Sequence, residues 1–283
     1  MKLIRSASRM AAVARRFRQQ GRRVGVVPTM GALHEGHLSL IRHAAARNEV
    51  VIVTIFVNPL QFGPREDFAR YPRPLARDLR LARQGGADVV FLPSVQELYP
   101  RDFETIVDVG ALAERWEGRA RPGHFRGVAT VVTILFQLTQ PTNAYVGQKD
   151  YQQALIIQRL ARDLRLPLRV HLRPTVREAD GVAMSSRNAY LTAAQRRQAS
   201  GIFRALAAGR ARIRAGERRA ETVARHMRRL LAAAMPRARI EYLAVVDAKT
   251  LIPSSRLTGR VALLAAVRLG RTRLIDNLLV DVP

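Results

Sequence analysis

The chain has 283 residues, 48% of them hydrophobic, enough for one large or two modest domains with a proper core. It has no cysteine, which excludes disulfides, thiolate catalysis and cysteine metal sites and mildly favours the cytoplasm. Its 48 basic against 22 acidic residues leave a formal charge of +26, the footprint of a nucleic-acid binder, but the only lysines are Lys2, Lys149 and Lys249, and the arginines are spread over many helical segments without interleaved aromatics. That distribution reads as solvated helix faces with incidental polyanion binding at low salt, and not as a surface for a specific nucleic acid.

Residues 1–34 carry no Asp or Glu and seven arginines precede Val24, which superficially suits a mitochondrial transit peptide. Met10, Val13, Ala14 and Phe17 nevertheless recur at helical spacing and Gly21 closes the segment, so it is read as a packed helix of the fold. From there the chain alternates between a strand over 24–27, a helix over 38–46, strands over 50–57, 88–92, 144–147 and 168–172, and helices over about 75–84, 124–139 and 151–163. Such alternation predicts a doubly wound α/β domain with a parallel sheet, whose ligands sit beyond the carboxyl ends of the strands. Past Thr175 the texture changes to Arg-rich amphipathic helices near 192–214 and 219–234, then to apolar runs over 240–246, 260–267 and 273–280 that suit a small antiparallel sheet. The expected division is a domain over 1–176 followed by an α+β lid domain over 177–283. The longest uncharged stretch, 127–145, is broken by Gln137, Gln140, Pro141 and Asn143, so nothing reads as a membrane span.

The most informative stretch is 28–37, Pro-Thr-Met-Gly-Ala-Leu-His-Glu-Gly-His, set between a strand and a helix. A strand that turns through Gly31 into a helix leaves backbone N–H groups at the helix start, where an anion such as phosphate is held. His34 and His37 stand three apart, so within one helical turn they project from one face and can donate to a phosphate whose charge grows during reaction. A lone histidine there is commonly just a polar surface residue, and it is the pair in this turn that points to function. Zinc is a weaker reading, because the metalloprotease pattern places its histidines at i and i+4 and no cysteine exists to complete a site.

The same stretch resembles the signature of pantothenate synthetases, nucleotidyltransferases with a His-x-Gly-His turn. Three further blocks of that family follow in order: 56–62 (Phe-Val-Asn-Pro-Leu-Gln-Phe), 147–153 (Gly-Gln-Lys-Asp-Tyr-Gln-Gln) and 184–188 (Met-Ser-Ser-Arg-Asn), so the resemblance spans nearly the whole chain. It implies a Rossmann-like nucleotidyltransferase domain and an ATP-dependent condensation of pantoate with β-alanine to pantothenate. The pantoate carboxylate would attack the α-phosphorus to give pantoyl adenylate and pyrophosphate, and the amine of β-alanine would then displace AMP. ATP is thus implied as substrate, with Mg2+ accompanying the triphosphate through unassigned ligands and no tightly bound prosthetic group. A cytoplasmic homodimer with small-molecule partners, and no membrane, is also implied.

By the same resemblance, ATP is bound by Met30, Gly31, Ala32, Leu33, His34, Glu35, Gly36 and His37, by Gly147, Gln148, Lys149 and Asp150, and by Val176, Met184, Ser185, Ser186 and Arg187. His37, His34 and Lys149 take the catalytic roles, with Lys149 a point charge for phosphate and Ser185, Ser186 and Arg187 suited to the β and γ phosphates. Asp150 is equally readable as a carboxylate favoured by a helix N-terminus. Gln61 and Gln153 match the pantoate-binding residues, and neutral amides suit a carboxylate that must still react. Gln61, Asn58 and Arg121 match the β-alanine pocket. One departure is Val146, where the family usually has an aromatic residue, an exchange expected to loosen adenine packing. Two other readings are a different nucleotidyltransferase, which would have no reason to place the Gln61 and Gln153 pair, and a basic nucleic-acid-binding protein, which would need a clustered basic face.

Overall fold

The computed structural model describes every residue except Arg65. It forms two compact units, Met1–Gln148 with Gln152–Pro174, and Lys149–Tyr151 with Thr175–Pro283. The second thus takes up three residues lying between stretches of the first, which the contiguous division drawn at 176 does not contain.

In chain order the first unit contains β1 (Lys2–Ile4), α1 (Ala7–Gln19), β2 (Val24–Thr29), α2 (Glu35–Ala45), β3 (Val50–Ile55), α3 (Leu75–Gly85), β4 (Val89–Phe91) and the short α4 (Val95–Leu98). It continues with α5 (Trp116–Ala120), α6 (His124–Thr139), β5 (Asn143–Gly147), α7 (Tyr151–Asp163, whose first residue belongs to the second unit) and β6 (Arg169–Arg173). Among the described residues, six strands make one wholly parallel sheet in the order β1-β4-β3-β2-β5-β6. A sheet covered on both faces needs strands that are apolar throughout, and β2 (VGVVPT) and β3 (VVIVTI), paired from Val24 opposite Val50 to Thr29 opposite Ile55, meet that demand. Val27, Leu33, Leu38, Ile41, Ala44, Val51, Val53, Ala82, Val90 and Tyr145 pack into a core on one face, beneath α2 and α3. The two helices approach closely because Gly85 carries no side chain: a Cβ there would lie 2.8 Å from Ile41 Cγ2. α1 buries Met10 and Ala14 and packs on α6, as its spacing predicts.

β1 has no counterpart among the expected elements. It is three residues long, too short for a periodic pattern, and only its pairing with β4 makes it a strand. The expected strand 24–27 runs on to Thr29, that over 50–57 stops at Ile55, and α2 begins at Glu35, three residues before the expected 38.

The second unit holds α8 (Ala193–Arg214), α9 (Ala220–Ala234), β7 (Ala238–Asp247), β8 (Arg260–Leu269) and β9 (Thr272–Asp281). The strands form an antiparallel sheet in the order β7-β8-β9, with a register shift between Ile240 and Tyr242. Ile202, Leu206 and Ile213 of α8 join Val223, Met227 and Leu231 of α9 and the inner side chains of the sheet in a separate core. Gly209 lets the helices close, since a Cβ there would sit 2.4 Å from Met227 Sδ. No helix among the described residues is long and apolar enough to cross a membrane.

Candidate active site

The sheet order reverses between β2 and β5, which leave their carboxyl ends side by side; in such sheets this is where ligands bind. The turn after β2 is strongly constrained. Gly31 (φ +81) and Ala32 (φ +49) both take left-handed conformations, and a Cβ at Gly31 would lie 2.9 Å from Asp78 Oδ2. Asp78, buried on α3, accepts the N–H of Ala32 and of Leu33, each at 2.8 Å. Burial pushes its carboxyl above the usual range against the pull of those two bonds. The Gly31 N–H goes to Thr29 Oγ1 at 3.1 Å, and that hydroxyl donates to Thr54 O.

His34 is the N-cap of α2 and His37 its third residue. The N–H of Gly36 donates to His34 Nδ1 at 3.2 Å, and the N–H of His34 to His37 Nδ1 at 3.3 Å, a reciprocal capping box built from two imidazoles 4.1 Å apart between centroids. The N–H groups of Gly31, Ala32, Leu33, His34 and Gly36 all serve acceptors within the protein. With Nδ1 of each ring accepting, the proton of the neutral imidazole belongs on Nε2. The backbone donors behind the two rings thus hold both neutral imidazoles in one tautomer.

Beyond β3, Asn58 caps the 3-10 turn Pro59–Gln61. Its Nδ2 donates to Gln61 Oε1 (3.2 Å) and Gly127 O (3.0 Å), and its Oδ1 accepts from Leu60 N–H and Tyr99 O–H. Gln61 Nε2 lies 3.0 Å from Met30 Sδ, so two expected site residues from separate loops meet. The Gln61 carbonyl accepts from His124 Nδ1 at 2.8 Å and from Arg121 Nη2 at 3.2 Å. His124 must then be neutral with Nε2 as acceptor, which it presents to Arg121 Nη1 at 3.0 Å, and burial, joined by the adjacent Arg121 charge, pushes its pKa down to about 4. The Arg121 fork also grips the Glu66 carboxylate through Nε and Nη2. The side chains of Asn58 and Arg121 are thus engaged with protein groups around Gln61, a role that motif matching does not suggest.

At the end of β5, the space over Gly147 is open, with nothing within 4 Å of where a Cβ would stand. Val146 is buried in β5 opposite Leu172. Gln153 is half-buried in the first turn of α7, whereas its neighbour Gln152 is spent on structure, accepting from Glu117 N–H and donating to Leu112 O and Arg115 O.

In the second unit, Lys149 Nζ stands 3.4 Å from Asp150 Oδ1. Val176 and Met184 face each other in a small hairpin, so the Val176 carbonyl accepts the Met184 N–H at 3.0 Å. Ser185 caps the 3-10 turn Ser186–Tyr190 by accepting the Arg187 N–H at 3.2 Å. The hairpin is held by Arg177, whose fork clasps the buried Asp276 carboxylate at 2.6 and 2.9 Å, and by Arg196, which pairs with Glu178 and Asp180 at 2.6 Å each.

A parallel sheet reversing between β2 and β5, with a histidine-capped helix leaving the first, defines a Rossmann-like α/β domain, followed along the chain by a small α+β unit. The family profile of pantoate-beta-alanine ligase matches residues 2–279. The chain belongs to the pantoate-beta-alanine ligase family and is a ligase. It is similar to the pantothenate synthetase of Moorella thermoacetica, with 54% identity over 282 residues that span 100% of this chain and 99% of that one. The crystal structure of pantothenate synthetase from Thermus thermophilus superposes with a TM-score of 0.93 at 46% identity, covering 98% of this chain and 99% of that one. A pantoate-beta-alanine ligase from Francisella tularensis, solved in complex with beta-gamma ATP and beta-alanine, superposes with a TM-score of 0.80 at 33% identity over 99% and 97% of the two chains.

Proposed function

We propose that this chain condenses pantoate with β-alanine at the expense of ATP, through a pantoyl adenylate. A carboxylate is a poor acyl donor, whereas its mixed anhydride with AMP carries a good leaving group. In the first step a pantoate oxygen forms a bond to the α-phosphorus as the bond to the bridging oxygen breaks and pyrophosphate departs. In the second, the amine of β-alanine attacks the acyl carbon, the bond to AMP breaks, and the amine loses its proton to solvent. Both steps build charge on the α-phosphate, so donors aimed there lower both barriers.

The observation that carries this reading is the imidazole capping box at the reversal of the sheet. It fixes His34 and His37 as Nε2–H donors, and His37 is assigned the α-phosphate or the leaving oxygen. Gly147 leaves room for the nucleotide to approach the main chain. Lys149, Ser185, Ser186 and Arg187 are assigned to the phosphates, with Met30 to Gly36, Gln148, Asp150, Val176 and Met184 completing the ATP contacts. Gln61 and Gln153 are assigned to pantoate and Gln61, Asn58 and Arg121 to β-alanine, with Asn58 and Arg121 also hydrogen-bonded to Gln61. Magnesium is expected to accompany the triphosphate as part of the substrate MgATP. The protein is further read as a cytoplasmic homodimer, which sedimentation would register at about twice the 31.6 kDa chain mass.

The test is isotope exchange. Labelled pyrophosphate should enter ATP only when pantoate is present and without any need for β-alanine; exchange without pantoate, or only with β-alanine, rejects the scheme. His37→Ala should lower that exchange by ~10²-fold or more, as loss of one transition-state donor does.

A further inference from the structure

Lys149 follows directly on β5 and Gln148, both in the first unit, yet it packs with the second. Two hydrogen bonds tie its segment there. Asn277 of β9, only 2% exposed, donates from Nδ2 to the Lys149 carbonyl at 3.0 Å, and Tyr151 donates from its hydroxyl to Ala248 O at 2.8 Å. The Asn277 carbonyl in turn accepts from Arg177 Nη2 at 3.2 Å, and the neighbouring Asp276 carboxylate takes the Arg177 fork and the Asn277 N–H. Arg177 opens the hairpin that leads to Ser185, Ser186 and Arg187, donates to Gly181 O at 3.0 Å and lies over the Phe203 ring at 4.4 Å from its centroid.

We infer that Asn277 is a positioning residue: it sets the main chain of Lys149 on the same β9 frame that Arg177 and Asp276 give to the Ser185–Arg187 block, so that the two cationic phosphate ligands are preassembled as one cassette. The inference rests on the phosphate-binding role proposed above for Lys149. Three features of the geometry carry it. The contact is made to the backbone of Lys149, so it fixes where the side chain starts without taking up its ammonium. The donor is buried, where an amide hydrogen bond is not exchanged for one to water. Finally, the same two-residue stretch of β9 holds both Arg177 and Lys149, so neither block can shift without disturbing the other. A reacting group misplaced by about 1 Å can cost ~10²-fold in rate, so loss of this anchor should register in chemistry before it registers in folding.

The experiment is a double-mutant cycle in the full-length chain, reading single-turnover, pantoate-dependent adenylation for the parent, Asn277→Ala, Lys149→Ala and the double variant. Asn277→Ala is expected to lower the rate ~10-fold while the KM for pantoate holds, a split that general loosening of the unit would not produce. In the Lys149→Ala background the same change should cost no more than about twofold, because Asn277 acts through Lys149. Asn277→Asp, which keeps size but presents an acceptor to the Lys149 carbonyl, should lose adenylation like the alanine variant and guards against a cavity effect. Losses that simply multiply in the double variant overturn the inference, as does a Lys149→Ala enzyme with parental adenylation. Absence of pantoate-dependent exchange in the unaltered chain would instead overturn the reading on which the inference rests, and the inference with it.

Discussion

Asp78 in the first unit and Asp276 in the second are both buried carboxylates behind a candidate nucleotide-binding block, and burial pushes both acids upward. They are compensated differently. Asp78 accepts two main-chain N–H groups, of Ala32 and Leu33, and so pins the turn that leads to the half-buried imidazoles of His34 and His37. Asp276 accepts a guanidinium fork from Arg177 and braces a hairpin that leads to a cationic loop. Neutral donors fixed by backbone suit the atoms where bonds change, because they stabilise developing charge without holding the ground state too tightly. Full charges held by an ion pair suit the phosphates that remain intact.

The sharpest way to break this comparison is to remove the second anchor. Asp276→Ala leaves the Arg177 guanidinium buried and unpaired and should cost about 3–5 kcal/mol in urea denaturation, whereas Arg177→Met combined with Asp276→Leu should recover most of that loss. A cost below about 1 kcal/mol would show that the pair is already hydrated, as exposed pairs are.

On the neutral side, the clamp on Gln61 predicts a pH dependence. The folded value of His124, about 4, lies below its ordinary 6.5, so the unfolded chain binds the proton more readily between the two. The stability this neutral histidine contributes is complete above pH 6.5 and is lost as the pH falls toward about 4. The loss is on the order of 3 kcal/mol at most, since each pH unit separating the folded and unfolded values is worth ~1.4 kcal/mol. His124→Asn, whose amide can still donate to the Gln61 carbonyl, should flatten that part of the stability profile; an unchanged slope would mean that other groups cause it.

A smaller effect tests Asp78 itself. Asp78→Asn keeps shape but turns one acceptor into a donor facing a backbone N–H, and should cost about 1–3 kcal/mol. Adenylation should fall more than pantoate binding weakens, since the turn carries the histidines. Equal losses in both would mean that Asp78 supports the whole sheet and not this turn.

How far these arrangements are legible in the sequence depends on the range of the interaction. The helices over 124–139 and 151–163 match α6 and α7 because their periodicity is local and their ends carry clear signals: Gly123 at φ +79 before one, and Gly147 before the 3-10 turn that enters the other. The start of α2 falls three residues before its expected place because histidine is not an ordinary capping residue, and only the reciprocal Nδ1 bonds make it one here. The blocks 28–37, 56–62, 147–153 and 184–188 are legible as motifs. Their supports are not: Asp78 lies 46 residues from Ala32, His124 63 residues from Gln61, and Asn277 128 residues from Lys149. A buried Asp, His or Asn has no periodic or spacing signature, and its role appears only when the fold brings it to its partner. Arg121 is a similar case: it matches the β-alanine pocket by motif, but its pairing with Glu66, 55 residues away, carries no sequence signal.

The excursion of Lys149–Tyr151 into the second unit bears on how the protein is made. During synthesis these three residues leave the ribosome well over a hundred residues before Asn277, and about a hundred before Ala248, so their hydrogen-bond partners do not yet exist. The first unit can complete its parallel sheet while this lysine is still unanchored, and the segment locks only when β9, the last strand, closes the second unit. A nascent chain lacking β9 would therefore own every residue of all four motifs and still lack the Asn277 anchor of Lys149. The anchoring of this lysine waits for the synthesis of β9.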